Sequence, residues 1–228
     1  MPSSNADTAP TVLVVGAGFS QRRAIVRLRE LGVRVVAVDG DPEAPGFGEA
    51  TVGELVDFSE LPAVVEVGRR HRVDGVLTVA SDRAVPVVAA VAEALGLPGI
   101  GRETARVMTN KIAMRERLAE HGVPQPRFVP VRGAADLEPA VEALSLPAVL
   151  KPADSGGQRG LYRIEHRGEL AERLPETLSF SRSGEALLEE FHQGVELNAM
   201  VVVRDGEPLL LTLSERLRPP GPGFGVGG

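Results

Sequence analysis

Short apolar runs alternate with segments of helical periodicity along the first hundred residues. Apolar runs bounded by Gly or Pro are typical of buried strands, and apolar residues spaced three and four apart indicate the inner face of a helix. The pattern predicts strands at 11–15, 33–38 and 75–79, and helices at 20–31, 61–71 and 82–95. Ser20 is the expected N-cap of the first helix. Because strand–helix–strand units build parallel sheets, we expect an open, Rossmann-like α/β domain over residues 11–109, after a disordered lead-in at 1–10.

The pattern restarts after a Gly/Pro interruption and predicts a small α+β lobe over residues 110–192. Its expected elements are helices at 110–121, 134–144 and 168–174 and strands at 127–131, 148–151, 161–165 and 186–191. Two further strands, at 195–203 and 208–217, are joined by Asp205-Gly206, a pair typical of hairpin turns. We assign residues 193–228 to the start of a further lobe that we expect to be incomplete. Its last 11 residues include eight Gly or Pro and predict a loop.

Composition narrows the class of protein. The 228 residues carry a formal net charge of −6, which argues against the basic face that nucleic acids or membrane surfaces require. The chain has no cysteine, so disulfides, thiolate catalysis and cysteine zinc sites are excluded. The four histidines show no metal-ligand spacing. Without a long apolar run or the features of a signal peptide, we expect a cytoplasmic protein.

The segment 147–160, PAVLKPADSGGQRG, combines a strand that ends in Lys151 with a glycine-rich loop. Glycine lets backbone N–H groups approach phosphate oxygens closely, and a lysine adds a compact, mobile charge. Lys111 and Lys151 are the only two lysines of the chain, which otherwise uses arginine as its strongly basic residue. The pattern indicates a phosphate site, while a plain strand–turn–strand remains the alternative interpretation.

A second glycine turn follows the first strand. Gly16 and Gly18 match part of the dinucleotide-binding fingerprint, and Asp39 lies 21 residues beyond Gly18, near the spacing of a ribose carboxylate. The third glycine position is Gln21, which we expect to obstruct close packing of helix on strand. A Rossmann-type NAD(P) oxidoreductase therefore stays open as a lesser alternative. Since ligands bind beyond the carboxyl ends of parallel strands, Ser81-Asp82 is expected to help shape the same pocket.

Taken in order, these pieces resemble the ATP-grasp superfamily. The carrying motifs are Asn110-Lys111 with Met114-Arg115, Gly122-Val123-Pro124, the segment 147–160, Leu188-Glu189-Glu190-Phe191 and Gly194-Val195-Glu196. Val73-Asp74-Gly75-Val76 and Leu95-Gly96-Leu97-Pro98-Gly99 are similar to the preceding domain of the biotin carboxylase and carbamoyl phosphate synthetase branch. The resemblance covers residues 11–217.

The resemblance implies a set of ATP contacts. They are Lys111, Lys151, Ser155, Gly156, Gly157, Gly160, Glu189, Glu190, Phe191, His192 and Glu196. The two lysines would hold the α- and β-phosphates, and loop N–H groups would close on the γ-phosphate. Glu189 would accept from the adenine amino group, main chain near Phe191 and His192 would read the ring edge, and Glu196 would bind the ribose hydroxyls. As alternatives, Glu189 and Glu190 could face solvent and Glu196 could pair with an arginine.

The implied reaction is that of a carboxylate–amine ligase using ATP and Mg²⁺. The γ-phosphate passes to a carboxylate, and an amine or similar nucleophile attacks the acylphosphate. Candidate anion contacts are Arg216 and Arg218, and Gly16, Gly18, Ser81 and Asp82 are candidate substrate contacts. The residues after Glu196 do not repeat the family's downstream magnesium ligands. We therefore expect no metal site and little turnover in this chain. It would be either a fragment of a ligase or a non-catalytic nucleotide-binding module. The small-molecule substrates stay undefined, and the oligomeric state stays open, although dimers are common in this branch.

Overall fold

The computed structural model describes residues 9–216. Contacts within the chain divide it into two compact units, Met1–Met114 and Arg115–Gly228. Each unit has its own four-stranded sheet. Within residues 9–216, no helix combines the length and the apolar character that a membrane crossing requires.

The first unit contains a sheet of four strands, one more than expected, and its pairing is entirely parallel, as the alternating pattern predicts. The strands are β1 (Thr11–Val15), β2 (Arg34–Asp39), β3 (Val52–Leu55) and β4 (Gly75–Leu77), in the spatial order β3-β2-β1-β4. The helices are α1 (Phe19–Glu30), α2 (Leu61–Arg70), α3 (Val85–Leu95) and α4 (Arg102–Thr109). The expected Rossmann-like fold class is confirmed for this unit.

Alternate residues of the central strands supply two separate cores. Leu13 and Val15 of β1 pack with valines of β2, α2 and α3 on one face of the sheet. Val14, which lies between them, packs with Ile25 of α1 on the other face. Because successive side chains of a strand point to opposite faces, a strand buried on both sides must be apolar throughout. This explains why β1 and β2 are unbroken apolar runs.

Two details of the first unit differ from the sequence-based expectation. Strand β3 was not anticipated, because its sequence VGEL contains a glycine and a glutamate and its residues alternate between half-buried and exposed. Such an edge strand lacks the continuous apolar run that marks β1 and β2. The prediction that Ser20 is the N-cap of the first helix was wrong, because Gly18 occupies that position and Ser20 lies within α1.

The second unit contains a four-stranded antiparallel sheet with helices on one face. Helix α5 (Lys111–Glu120) crosses the division between the units along the chain. It is followed by β5 (Phe128–Val131), a 3-10 turn (Ala134–Asp136), α6 (Leu137–Ala143), β6 (Ala148–Pro152), β7 (Tyr162–Ile164), α7 (Arg167–Ser179) and β8 (Ala186–Glu190). The spatial order is β5-β8-β6-β7, which confirms the predicted α+β class.

One face of this sheet forms the core of the second unit. Leu150 of β6 and Leu188 of β8 pack there with Val141 of α6 and with Leu170 and Leu174 of α7. Helix α7 continues through Pro175 to Ser179, five residues beyond the expected end. A proline normally stops a helix, but Leu178 beyond it still packs on this core. Tertiary burial therefore overrides the local signal.

The last described elements are β9 (Leu197–Arg204) and β10 (Glu207–Glu215), which pair only with each other. Asp205 and Gly206 both have positive φ angles, 51° and 82°, as expected for the predicted Asp-Gly hairpin turn. Every residue of both strands is exposed, although both carry long apolar side chains such as Val202 and Leu211. An isolated hairpin is marginally stable in water.

We therefore expect residues 197–215 to be mobile, or to order only by association with another chain. In amide hydrogen exchange on the monomer, β9 and β10 should exchange much faster than β6 and β8 of the same unit. A hairpin protected as strongly as β8 in a monomer would contradict this prediction.

Candidate functional site

A cleft of about 390 Å³ opens in the second unit. Its lining residues come from five separated segments of the chain. They are Pro126, Val149, Lys151, Gln158, Leu161, Glu189, Glu190, Phe191, His192, Glu196 and Arg216. Seven of these are site residues expected from the sequence, whereas Pro126, Val149, Gln158 and Leu161 were not anticipated.

The strand register places Lys151 and Glu189 on the same face of the sheet. Val149 of β6 lies opposite Glu189 of β8, and Lys151 lies two residues further along β6, opposite Leu187. Residues two apart on a strand share a face, so the two side chains are diagonal neighbours. Leu150 and Leu188 point to the other face, into the core. The sheet therefore has a core face and a cleft face.

Glu189 is held by two cations. Its Oε2 accepts from Nε and Nη2 of Arg115 at 3.1 and 2.9 Å, and its Oε1 accepts from Nζ of Lys151. The Glu189 side chain is only 9% exposed, so it does not face solvent. Burial lowers the pKa of Lys151, and the charge of Arg115 adds to the lowering, while Glu189 opposes it. Arg115 lies in the helix motif of residues 110–115, but its pairing with Glu189 was not predicted.

The neighbouring residues of β8 are engaged differently. Both oxygens of Glu190 bind Arg127, through its backbone N–H at 3.0 Å and its Nε at 2.6 Å. These contacts hold the pKa of Glu190 below its ordinary value. The Phe191 ring lies 4.3 Å from the guanidinium of Arg163. The backbone N–H of Phe191 donates to the carbonyl of Pro147 at 3.3 Å. His192 is exposed near Glu190.

Glu196 forms an ion pair with Arg216, which is the alternative to ribose binding. Its Oε1 accepts from Nη1 of Arg216 at 2.9 Å, and its carbonyl accepts the Arg216 N–H at 2.8 Å. The pair links the start of the hairpin to its end. The other candidate anion contact, Arg218, lies outside the described residues.

The glycine loop after β6 turns through residues with positive φ angles. Gly157, Gln158 and Gly160 have φ angles of 70°, 58° and 67°, and Ser155 and Gly156 precede them. Oε1 of Gln158 is buried without a hydrogen-bond partner in this structure, and Gln158 lines the cleft. A buried acceptor without a donor is costly, so this atom suits a ligand that donates a hydrogen bond.

Both ends of the loop are anchored near the end of α7. At the start, Asp154 accepts from the Ser181 hydroxyl at 2.9 Å and from the N–H groups of Arg182 and Ser183 at 2.9 and 3.1 Å. At the end, the carbonyl of Gly160 accepts from the buried Thr177 hydroxyl at 3.0 Å. The residues between these anchors carry the loop N–H groups.

The remaining expected site residues belong to the first unit. Lys111 is the first residue of α5. Gly16 and Gly18 form the turn after β1, and Ser81 and Asp82 follow β4.

Side chains of the first unit fix its glycine turn internally. Asp39, the candidate ribose carboxylate of the NAD alternative, accepts from the N–H groups of Ala17 at 2.7 Å and Asp41 at 3.0 Å. Gln21 donates to the carbonyl of Val79 at 2.5 Å and lies 3.4 Å from the position that a Cβ on Gly16 would occupy. In this structure Asp39 thus stabilises its own loop, and Gln21 fills the space under the turn.

Among residues 9–216, no group of three or more His, Cys, Asp or Glu side chains is arranged to hold a metal ion.

Comparison with known proteins gives a consistent family. Residues 28–99 match the family model of the ATP-grasp N-terminal domain. A D-alanine–D-alanine ligase of Oleidesulfovibrio alaskensis is 30% identical over 226 residues, which are 93% of this chain and 65% of that protein. The chain belongs to the ATP-grasp superfamily. A formate-dependent phosphoribosylglycinamide formyltransferase of Synechococcus sp. strain CC9605 is 29% identical over 87% of this ATP-grasp chain and 52% of its own length.

Solved structures share the fold of this ATP-grasp chain. An L-amino acid ligase from Bacillus licheniformis superposes with a TM-score of 0.75 at 24% identity, over 96% of this chain and 53% of that one. An N5-carboxyaminoimidazole synthetase from Staphylococcus aureus complexed with ADP gives 0.76 at 17% identity, over 92% and 55%. The chain thus spans about half the length of these structures, and between half and two thirds of the two sequence relatives above.

The two left-handed glycines of the loop provide a matched test of its anchoring. A Cβ on Gly160 would lie 2.7 Å from the Phe180 ring, whereas a Cβ on Gly157 would meet nothing within 4 Å. We expect Gly157→Ala to lower the free energy of unfolding by about 1 kcal/mol, from left-handed strain alone. Gly160→Ala should lower it by about 2–4 kcal/mol, because overpacking adds to the strain.

Urea unfolding followed by tyrosine fluorescence measures this difference. Tyr162 is the single tyrosine in a chain without tryptophan, and it packs on the core of the second unit. Its signal therefore reports on the unit that contains the loop. Equal losses in the two variants would contradict the close packing at Gly160.

Proposed function

We propose that the cleft of the second unit binds ATP as part of a carboxylate–amine ligase. The observation that carries this proposal is the convergence of Lys151, Gln158, Glu189 and Glu196 on one cleft. These residues come from segments that are separated along the chain, in the order that the family resemblance implies. The membership of the superfamily supports ATP as the ligand.

In this proposal the phosphate groups lie at the Lys151 end of the cleft. The ammonium of Lys151 and N–H groups of the loop at Gly156, Gly157 and Gly160 would neutralise the phosphate oxygens. Ser155 contributes to the same loop. Lys111 is proposed as the second phosphate lysine on the strength of its sequence motif.

The nucleoside would lie along the end of β8. Oε1 of Glu189 would accept from the adenine amino group, and the main chain of His192 would read the ring edge. Glu196 would bind the ribose hydroxyls, which would then compete with Arg216 for its carboxylate. The buried Oε1 of Gln158 is a further acceptor for a nucleoside donor.

The chemistry we propose is acyl activation by phosphoryl transfer. A carboxylate oxygen attacks the γ-phosphorus, the bond to the β-phosphate oxygen breaks, and ADP and an acylphosphate result. A nucleophilic amine then attacks the acyl carbon and expels phosphate. Such transfer depends on position and charge neutralisation, which Lys151 and the loop would supply. In the second unit, the candidate substrate contact is Arg216.

Calorimetric titration of MgATP tests the proposal. We expect specific MgATP binding to the wild type and a loss of about tenfold or more in the Lys151→Ala variant, because a charged hydrogen bond to phosphate is removed. Arg132→Ala is the matched control. This arginine is exposed and pairs with Glu185, and it follows the last residue of β5, whereas Pro126 of the cleft precedes the first. It should bind MgATP like the wild type.

Two further titrations separate the alternatives. MgGTP should bind more weakly than MgATP, because guanine presents a carbonyl where adenine presents the amino donor. NADH should not bind if the glycine turn of the first unit is structural. Absence of MgATP binding by folded wild type, or NADH binding in its place, would overturn the proposal. MgATP binding without turnover would favour a nucleotide-binding module over an active ligase.

A further inference from the structure

Arg115 makes the most extensive contact with Glu189, yet it is not among the ATP contacts that the family resemblance implies. Two nitrogens of its guanidinium donate to the same oxygen, Oε2. Its side chain is 19% exposed and that of Glu189 is 9% exposed. A charge-assisted, forked contact with so little solvent is strong and well oriented. Arg115 therefore fixes the position of Glu189 independently of Lys151.

The cluster contains two positive charges and one negative charge. Lys151, with a side chain that is 14% exposed, contacts only the other oxygen of Glu189, Oε1. The neighbouring carboxylate of Glu190 is engaged by Arg127. One cation can therefore leave Glu189 and the carboxylate still remains paired.

This surplus matters because a buried carboxylate that loses its last partner is strongly destabilised. If Arg115 were absent, moving Lys151 to a phosphate group would leave Glu189 buried and uncompensated. With Arg115 in place, the same movement leaves a forked ion pair intact. The charge of Arg115 also lowers the pKa of Lys151, in line with repulsion that weakens the hold of Glu189 on the ammonium.

We propose that Arg115 is a positioning residue that serves as the permanent counter-charge of Glu189 and so frees Lys151 to move to the phosphates when a nucleotide binds. The inference rests on the proposed ATP site. Lys151 vacates Oε1 of Glu189, which is then available to the adenine amino group, while Oε2 stays with Arg115. Recognition of the base and release of the phosphate lysine are thereby coupled at one carboxylate.

A double-mutant comparison tests this role by calorimetric titration of MgATP. Arg115→Met should weaken binding by about tenfold or more, because Lys151 is then retained by Glu189. Arg115→Lys keeps the charge but loses the forked contact, so its affinity should fall between those of Arg115→Met and the wild type. In the Glu189→Gln background no carboxylate retains the lysine, so adding Arg115→Met should change the affinity by less than about twofold.

Arg117→Met is the matched control on the same helix. Arg117 is more exposed and lies 3.6 Å from Glu120, so this variant should bind MgATP like the wild type. Tyr162 fluorescence establishes that each variant is folded. If Arg115→Met does not fold, the Glu189→Gln pair still tests the inference, because a loss of more than about twofold on adding Arg115→Met there would overturn the role through Glu189.

Each outcome has a defined meaning. An Arg115→Met variant that binds like the wild type, or an equal loss from Arg115→Met in both backgrounds, would overturn the role through Glu189. The second result would indicate direct contact with the nucleotide or a general structural role. If the folded wild type does not bind MgATP, the proposed function fails, and this inference fails with it. If the wild type binds and only the Arg115 comparison fails, the ATP site stands.

Discussion

The buried carboxylate of Glu189 is the constraint on which the arrangement of the second unit depends. A glutamate whose side chain is 9% exposed is tolerated only with charged partners, and two elements supply them. Helix α5 brings Arg115 and strand β6 brings Lys151. The ion pairs therefore join α5 to the sheet and at the same time gather cations around the proposed nucleotide site.

The antiparallel sheet is suited to this task because its two faces are used differently. Helices α6 and α7 cover one face and bury the apolar residues of alternate positions. The other face carries Lys151 and Glu189 and lines the cleft. Charged residues thus emerge from central strands without entering the core, and the rigid sheet fixes their spacing. The glycine loop is tied at Asp154 and Gly160, so its N–H groups stay near the lysine.

The first unit uses the two faces of its sheet differently from the second unit. Its parallel sheet is buried on both faces by α1 on one side and α2 and α3 on the other. Asp39 at the end of β2 and Gln21 in the first turn of α1 bind the backbone around the glycine turn. The turn resembles part of a dinucleotide fingerprint in sequence, but its hydrogen bonds are made with other groups of the protein.

Local signals in the sequence determined most of the elements, since apolar runs, helical periodicity and the Asp-Gly turn act over a few residues. The lysine and glycines of segment 147–160 by themselves indicated a phosphate site, whereas Glu189 was a candidate only through the resemblance to the ATP-grasp order. Strand β3 and the extension of α7 beyond Pro175 escaped detection, because a neighbouring strand and a buried core stabilise them. The Arg115–Glu189 pair, separated by 74 residues, and the Glu196–Arg216 pair were decided by tertiary structure alone. Charge pairing depends on which side chains the fold brings within hydrogen-bond distance, and no local pattern contains that information.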